Sequence, residues 1–216
     1  YAEIKMLATG NPYIKEKMDL DIQVQKLRML KSNFLSERYS LEDKVLKDFP
    51  RDIARYTSRI DGFIKDIATA KQNPKSIADT FIGMIVNGVR YDEKADGGQV
   101  IIDVCKTLPD SNTYPLGEYR GFKMEVHYEP FSHQHRVEIK GAISHQGVLG
   151  SDPLGNITRI DNVIDGLEKV LENEKAELSN TQKQLEIAKE QLRKPFSRED
   201  ELKQKEARLS ELNALL

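Results

Sequence analysis

Residues 20–34 read LDIQVQKLRMLKSNF, and their apolar side chains recur three and four positions apart. The recurring positions are Leu20, Val24, Leu27, Leu30 and Phe34. They share one face of an α-helix, because a helix turns once in about 3.6 residues. The same spacing continues at Leu41, Val45, Phe49, Ile53, Tyr56, Ile60, Ile64 and Ile67. A repeat sustained this long predicts a coiled-coil seam.

A matching pattern occupies the C-terminal part of the chain. Its apolar positions are Ile157, Ile160, Ile164, Leu167, Leu171, Leu178, Leu185, Ala188 and Leu192, then Leu202, Leu209, Leu212 and Leu216. If the two arms are antiparallel and meet near residues 70 and 157, the numbers of facing residues add to about 227. The first arm is predicted to begin at Asn11-Pro12, a typical helix start, and Asn156 is predicted to cap the second arm.

Charge and proline positions agree with this pairing. Residues 1–72 carry 14 Lys and Arg against 11 Asp and Glu, whereas residues 151–216 carry 11 against 14. Pro50 predicts a kink or short break in the first arm. The break at Pro195 should lie level with residues 32–36, close to the polar stretch 36–40, so both arms are expected to bend at one level.

A basic stripe marks the first arm, at Lys47, Arg51, Arg55 and Arg59. One interpretation is that these residues form ion pairs flanking the seam, with Arg55 beside Glu172 and Arg59 beside Glu168. The other is that the stripe is a nucleic-acid surface that follows a phosphate backbone.

The middle of the chain predicts a small ββαβββ domain. Asn87-Gly88 is a strong hairpin-turn signal between two short strands, and apolar residues three and four apart then predict a helix over 96–108. Residues 121–129 alternate apolar and polar, as a half-buried strand does. The predicted strands are 81–86, 89–91, 121–129, a strand around Val137 and Ile139, and 142–149.

The register of the last hairpin is predicted from its two apolar faces. A sum of 265 between facing residue numbers aligns them and leaves a short loop at 131–134. This register pairs Glu129 with Arg136, His127 with Glu138 and Glu125 with Lys140. All three pairs are of favourable charge.

The sequence predicts no catalytic, cofactor-binding or metal-binding residue. No phosphate-binding glycine loop, dinucleotide fingerprint or nucleophile triad is present. The single cysteine, Cys105, is interpreted as a small core residue in a reduced, cytoplasmic protein. The four histidines, His127, His133, His135 and His145, invite a metal hypothesis, but we interpret them as solvated or ion-paired imidazoles.

The predicted fold class is therefore α+β, a long antiparallel coiled-coil hairpin with the ββαβββ domain inserted at its closed end. The predicted domains are residues 1–72, 73–150 and 151–216. The chain has no run of about 18 apolar residues, which predicts no membrane partner. It opens with residues 1–7 in a pattern like the end of a preceding helix, so we expect a piece of a longer protein.

Three stretches together resemble a known family. They are Ala8-Thr9-Gly10-Asn11-Pro12 leading into Lys15-Glu16-Lys17-Met18-Asp19, then Gly155-Asn156-Ile157-Thr158-Arg159-Ile160-Asp161-Asn162, and Lys194-Pro195-Phe196 leading into Glu201-Leu202 and Ala207-Arg208-Leu209-Ser210-Glu211-Leu212-Asn213. The order is similar to the C-terminal region of large Swi/Snf-type (superfamily II) helicase and adenine-specific DNA methylase proteins of bacterial conjugative elements and phages. The resemblance implies a DNA-associated parent, although none of that family's catalytic motifs matches a position here.

Two classes of function follow. The first is a non-catalytic accessory arm that positions DNA or couples modules of the parent helicase or methylase. The second is a reader of nucleic acid or protein on the exposed sheet face, through Lys123, Arg136 and Lys140. The middle domain carries 8 basic against 10 acidic residues, which favours the first. Expected partners are the rest of the parent, duplex DNA, and a second copy joined through the coiled coil; no cofactor is expected in this chain.

Overall fold

The protein combines long helices with a six-stranded antiparallel sheet. Its structure, a computed structural model, describes residues 11–216. The prediction made for residues 1–7 lies outside these residues. Two compact units are present, one comprising the described residues up to Asp52 together with Thr181–Leu216, the other Ile53–Asn180. The predicted mixture of helix and sheet is confirmed.

The helices begin where the sequence supplies caps. Asn11 accepts a hydrogen bond from the backbone N–H of Tyr13 at 3.0 Å, with Pro12 in the first turn, as predicted. The N-cap of the helix that begins at Pro153 is Asp152 and not Asn156. The buried amide of Asn156 bonds instead to the backbone of Gly150. The helices are α1 (Pro12–Asp43), α2 (Phe49–Gln72), α3 (Lys94–Lys106), α4 (Pro153–Asp165), α5 (Leu167–Arg193) and α6 (Glu199–Leu215).

Pro50 is accommodated without a break in the helical chain. A π-helical turn, Lys44–Asp48, joins α1 to α2 just before the proline. Because proline cannot donate to the carbonyl four residues earlier and crowds it, a wider turn at this point relieves the conflict. Near residues 32–40, where a bend of the first arm is predicted, α1 has no interruption and runs unbroken to Asp43.

In the first unit, α1 packs against α6 with opposite chain direction. Glu16 contacts Arg208, whereas Lys31, farther along α1, contacts the earlier Glu199. The apolar contact between these helices consists of Val24, Leu27, Leu202 and the half-buried Leu209. Beside the break at Pro195, the rings of Phe34 and Phe196 lie 5.6 Å apart between centroids, close to the predicted level.

In the second unit, the sheet has one strand more than predicted. Its order is β4-β3-β5-β6-β7-β8, with every neighbouring pair antiparallel. A separate pair of two-residue strands precedes it. The strands are β1 (Ser76–Ile77), β2 (Thr80–Phe81), β3 (Met84–Val86), β4 (Val89–Tyr91), β5 (Tyr114–Tyr119), β6 (Phe122–Glu129), β7 (Gln134–Lys140) and β8 (Ser144–Leu149).

Strand β5 was not predicted, because it contains Pro115 and Gly117, which are typical of turns. The pairing of β5 with β6 shifts register between these two residues, a β-bulge that tolerates a proline. Glycine is required at 117, since a Cβ there would collide with the carbonyl oxygen of Ile85 on β3. The predicted ββαβββ domain is thus corrected to ββαββββ, and the predicted strand 81–86 is divided at Gly83.

The predicted register of the last hairpin is wrong by two residues. His127 lies opposite Arg136 and Glu125 opposite Glu138, so facing numbers add to 263. A shift of two keeps the same side chains on each face, and the apolar pattern therefore could not distinguish the two registers. Two predicted ion pairs persist as diagonal contacts, Lys140 with Glu125 at 3.2 Å and Arg136 with Glu129 at 4.0 Å.

The core of the second unit lies between the apolar sheet face and helices α3 and α4. Val126, Val137 and Ile139 of the sheet and Ile101 and Ile160 of the helices are fully buried. A smaller apolar cluster, Phe63, Leu167 and Leu171, joins α2 to α5.

We expect Ile160→Ala to lower the free energy of unfolding of the second unit by about 2–5 kcal/mol, because it leaves a cavity in the core. Ile64→Ala is the matched control, because Ile64 is 50% exposed and its predicted place in the seam is wrong. Chemical denaturation followed by circular dichroism measures both. Equal losses for the two variants would contradict the position of this core.

Candidate functional site

The predicted basic stripe consists of side chains that already have acidic or aromatic neighbours. In the first unit, Lys47 bonds to Asp43 at 2.8 Å, which raises the pKa of the lysine. Arg51 lies 3.3 Å from Asp48. Lys47 and Arg51 remain largely exposed, so each pair contributes little to stability.

In the second unit, Arg59 donates to Glu174 of α5 at 2.9 Å and lies over the ring of Phe63. The predicted pairing of Arg59 with Glu168 is thus wrong, because Glu168 pairs with Lys71 at 2.7 Å. The Arg55 guanidinium lies 4.6 Å from the ring centroid of Tyr56. Contact of this stripe with nucleic acid stays a prediction.

The polar sheet face holds the other predicted contacts. Lys140 bonds to Glu138 at 2.6 Å, and this hydrogen bond lowers the pKa of Glu138. Lys123 faces Lys140 across the β6–β7 pair and is exposed. The Nδ1 of His127 and the Nε of Arg136 have no hydrogen-bond partner in the part of the chain that the structure describes, although both atoms are shielded from solvent. Whether this face binds a ligand also stays a prediction.

The four histidines do not gather into one site. The His133 ring lies 3.1 Å from the hydroxyl of Tyr128, and the His135 ring packs against the ring of the same tyrosine. Between residues 11 and 216, no group of three or more His, Cys, Asp or Glu side chains is placed to hold a metal ion. Cys105 is buried in the core, and burial raises its pKa to about 11.

The fourth histidine, His145, belongs to a buried polar centre that was not predicted from the sequence. Asp66 of α2 is only 1% exposed. Its carboxylate accepts hydrogen bonds from the backbone N–H groups of Ala142 and Ile143, at 2.6 and 3.2 Å, in the turn between β7 and β8. It also lies 2.8 Å from Nε2 of His145, which is itself buried. We call these four residues the Asp66 joint, because they fix helix α2 to the end of the sheet.

Two glycines make this close approach feasible. A Cβ at position 141 would collide with the Asp66 carboxylate, and a Cβ at position 62, one helical turn before Asp66, would collide with Ile143. A signal for the joint was therefore present in the sequence. It was the acidic residue within the apolar phase of α2, with a glycine four positions earlier.

A second buried polar cluster joins the β5–β6 turn to helix α4. Arg120 has φ of 51° and is 7% exposed, and its guanidinium donates to Asp161 at 3.1 Å and Asp165 at 2.7 Å. The Tyr119 hydroxyl donates to Asp161 at 3.0 Å, and burial together with that negative charge raises the pKa of the tyrosine. Lys75, whose side chain is half-exposed, forms an ion pair with Asp165 at 2.9 Å. We call these five residues the Arg120 cluster.

The Arg120 cluster is electrically balanced, with two cations facing two carboxylates. A cleft of about 430 Å³ lies beside it, lined by residues that include Ile67, Pro74 and Ile164. Its positively charged lining groups Lys71, Lys75 and Arg120 each pair with an acidic side chain. The arrangement is therefore suited to holding α2, α4 and the sheet together.

A scan against protein-family models, a search of curated proteins and a search of solved structures each find no match. Among the helices of residues 11–216, none has both the length and the apolar character needed to cross a membrane.

We expect Asp66→Ala to lower the free energy of unfolding of the second unit by about 3–5 kcal/mol, because two backbone N–H groups and an imidazole lose their partner in a buried place. Asp61→Ala, an exposed change on the same helix, is the matched control and should have little effect. Urea denaturation compares the two. A loss below about 1 kcal/mol for Asp66→Ala would show that the joint adds little to stability.

Proposed function

We propose that this chain is a non-catalytic accessory element of a cytoplasmic DNA helicase or methylase of a mobile element, where it couples modules or positions DNA. The nature of the parent rests on the sequence resemblance. The coiled-coil hairpin with an α+β domain at its closed end is part of the same proposal.

The observation that carries the proposal is the use made of buried charge in the second unit. In both the Asp66 joint and the Arg120 cluster, the charged side chains bond a helix to a turn of the sheet. Removing one partner of such a pair is costly, because it leaves a buried charge without compensation. A connection of this kind supports transmission of force or position between a helical arm and a small domain.

The pairing of helices inside each unit supports the coiled-coil part of the proposal. In the first unit, Arg208 of α6 donates two hydrogen bonds to Glu16 of α1, and these bonds lower the pKa of Glu16. In the second unit, Arg59 and Glu174 join α2 to α5. Ion pairs that flank an apolar seam mainly set the register and direction of the helices.

A second candidate function, recognition of a nucleic acid or protein partner, uses the polar sheet face. The observation in its favour is that Nδ1 of His127 and Nε of Arg136 lack hydrogen-bond partners among residues 11–216. Lys123, on the same face, makes no ion pair with another described residue. Of these three nitrogen groups, the exposed ammonium of Lys123 can bind a ligand oxygen directly, whereas the two atoms shielded from solvent need their side chains to rearrange first.

Measuring the binding of the chain to duplex DNA distinguishes the two candidate functions, coupling of modules and recognition through the sheet face. If the chain couples modules, we expect weak binding with a shallow salt dependence, because most cations of the stripe and the sheet face are already near carboxylates. The measurement is fluorescence anisotropy of a labelled duplex over a range of salt concentrations. The matched variants are Arg51, Arg55 and Arg59 to Ala, and Lys123 and Lys140 to Ala.

Each outcome of this measurement assigns a role. A steep slope that the triple arginine change reduces by about 1 for each lost phosphate contact would give the arm a DNA-positioning role. A steep slope that is lost instead through the two lysine changes would favour the sheet-face reader and contradict the coupling proposal.

The identity of the parent is tested by the reading frame upstream of Tyr1. We expect it to encode Walker-type and superfamily II helicase motifs, in accord with the resemblance. A different enzyme in that position would contradict the assignment to a helicase or methylase.

A further inference from the structure

Helix α1 carries a second apolar stripe, on the side opposite its contact with α6. Met18, Ile22 and Met29 are 43%, 66% and 59% exposed. At about 100° per residue, they fall within a narrow sector that faces away from the buried Val24 and Leu27. A helix with apolar residues on both sides typically packs against a partner on each side.

The outer stripe follows a heptad spacing and contains no charge. Positions 18, 22, 25, 29, 32 and 36, spaced alternately four and three apart, are Met18, Ile22, Gln25, Met29, Ser32 and Ser36, and all are exposed. Charged residues flank its apolar half. Asp19 and Lys26 lie on one side, and Asp21 and Arg28 lie on the other.

We propose that a second copy of this chain packs on the outer stripe, with the two α1 helices antiparallel. Ile22 then lies opposite the partner's Gln25, and Met18 lies opposite the partner's Met29. This surface differs from the coiled-coil seam, and the inference does not depend on the proposed coupling function.

Charge complementarity selects both the partner and the register. In an antiparallel coiled coil of two identical helices, a residue that flanks the stripe on one side faces a residue on the same side of the partner's stripe. With Ile22 opposite Gln25, Asp19 faces the partner's Lys26 on one side of the seam. On the other side, Asp21 faces the partner's Arg28. Two-fold symmetry repeats both pairs, so the interface contains four ion pairs of favourable sign.

Other alignments are worse by the same criterion. A shift by one heptad in one direction places Lys26 against itself and Arg28 against itself. A shift by one heptad in the opposite direction places Asp19 against the partner's Asp19 and Asp21 against the partner's Asp21. A parallel pair in register keeps only the contact of Asp21 with Lys26, because position 33, which would face Arg28, is an asparagine.

Asp19, Lys26 and Arg28 are exposed and Asp21 is half-buried, so the flanking charges can reach a partner helix. Within residues 11–216, Asp19, Asp21 and Lys26 make no ion pair. Arg28 donates to Glu206 of α6 at 2.7 Å, but its side chain is 64% exposed and can accept a second carboxylate neighbour. Three apolar positions make a modest interface, so we expect reversible dimerisation that depends on concentration.

The first test measures self-association of the full chain by sedimentation velocity over a wide range of protein concentration. We expect a monomer–dimer equilibrium, which the double change Ile22→Asp and Met29→Asp weakens by about tenfold or more. Ile187→Asp is the matched control, an isoleucine that is 56% exposed on α5 and lies outside the stripe. Circular dichroism verifies that helix content is retained. A monomer at all concentrations, or a dimer unaffected by the double change, would overturn the proposal.

The second test reverses single charges on one side of the stripe. We expect Lys26→Glu and Asp19→Lys each to weaken dimerisation, because each places like charges face to face. A mixture of the two variants should restore association, since the altered residues then face an opposite charge. Failure of the mixture to associate more strongly than either variant alone would rule out the antiparallel register. If the chain does not dimerise, the DNA-binding test of the proposed function is unaffected. That test compares the triple arginine variant with the double lysine variant.

Discussion

The buried carboxylate of Asp66 is a constraint that fixes helix α2 against the sheet of the second unit. A charge with 1% exposure is tolerated only where hydrogen bonds replace the water it has lost. The turn between β7 and β8 supplies two backbone donors, and His145 supplies a third neighbour. The carboxylate belongs to helix α2, and its hydrogen-bond partners lie in the β7–β8 turn and in β8, far away in sequence. These hydrogen bonds therefore fix α2 against the end of the sheet. The glycines at 62 and 141 follow from the same requirement, since a side chain at either would prevent the approach.

The Arg120 cluster applies the same principle at a different turn. Arg120 adopts a backbone conformation that residues with a Cβ rarely take, and it does so beside Gly121, at the two-residue turn between β5 and β6. The turn directs its guanidinium at two carboxylates of α4, and the energy of these charge-assisted bonds offsets the backbone strain. Two helices are thus attached to one sheet by hydrogen bonds to buried carboxylates, in addition to the apolar core. This double attachment is the physical basis for proposing a coupling element.

Surface charge has a different role in the helices. Most exposed pairs connect residues three or four apart on one helix or residues of two packed helices, and each contributes little to stability. Their arrangement nevertheless limits which helix can lie beside which. On α1, Glu16, Arg28 and Lys31 pair with α6. Asp19, Asp21 and Lys26, which flank the outer stripe together with Arg28, make no ion pair among residues 11–216. These unpaired charges are one basis for proposing that a second copy packs on the outer stripe.

The sequence by itself determined the elements that depend on local periodicity. The helices α1 to α6, the cap at Asn11, the Asn87-Gly88 turn and the alternation of β6 could all be predicted, because each depends on residues a few positions apart in the sequence. The register of β6 with β7, the strand β5 and the two buried polar clusters could not. A register shift of two residues leaves every side chain on the same face, and a strand containing proline and glycine has the composition of a loop. The partners of Asp66 and Arg120 lie from 41 to 79 residues away, so only the folded chain decides which buried charges meet.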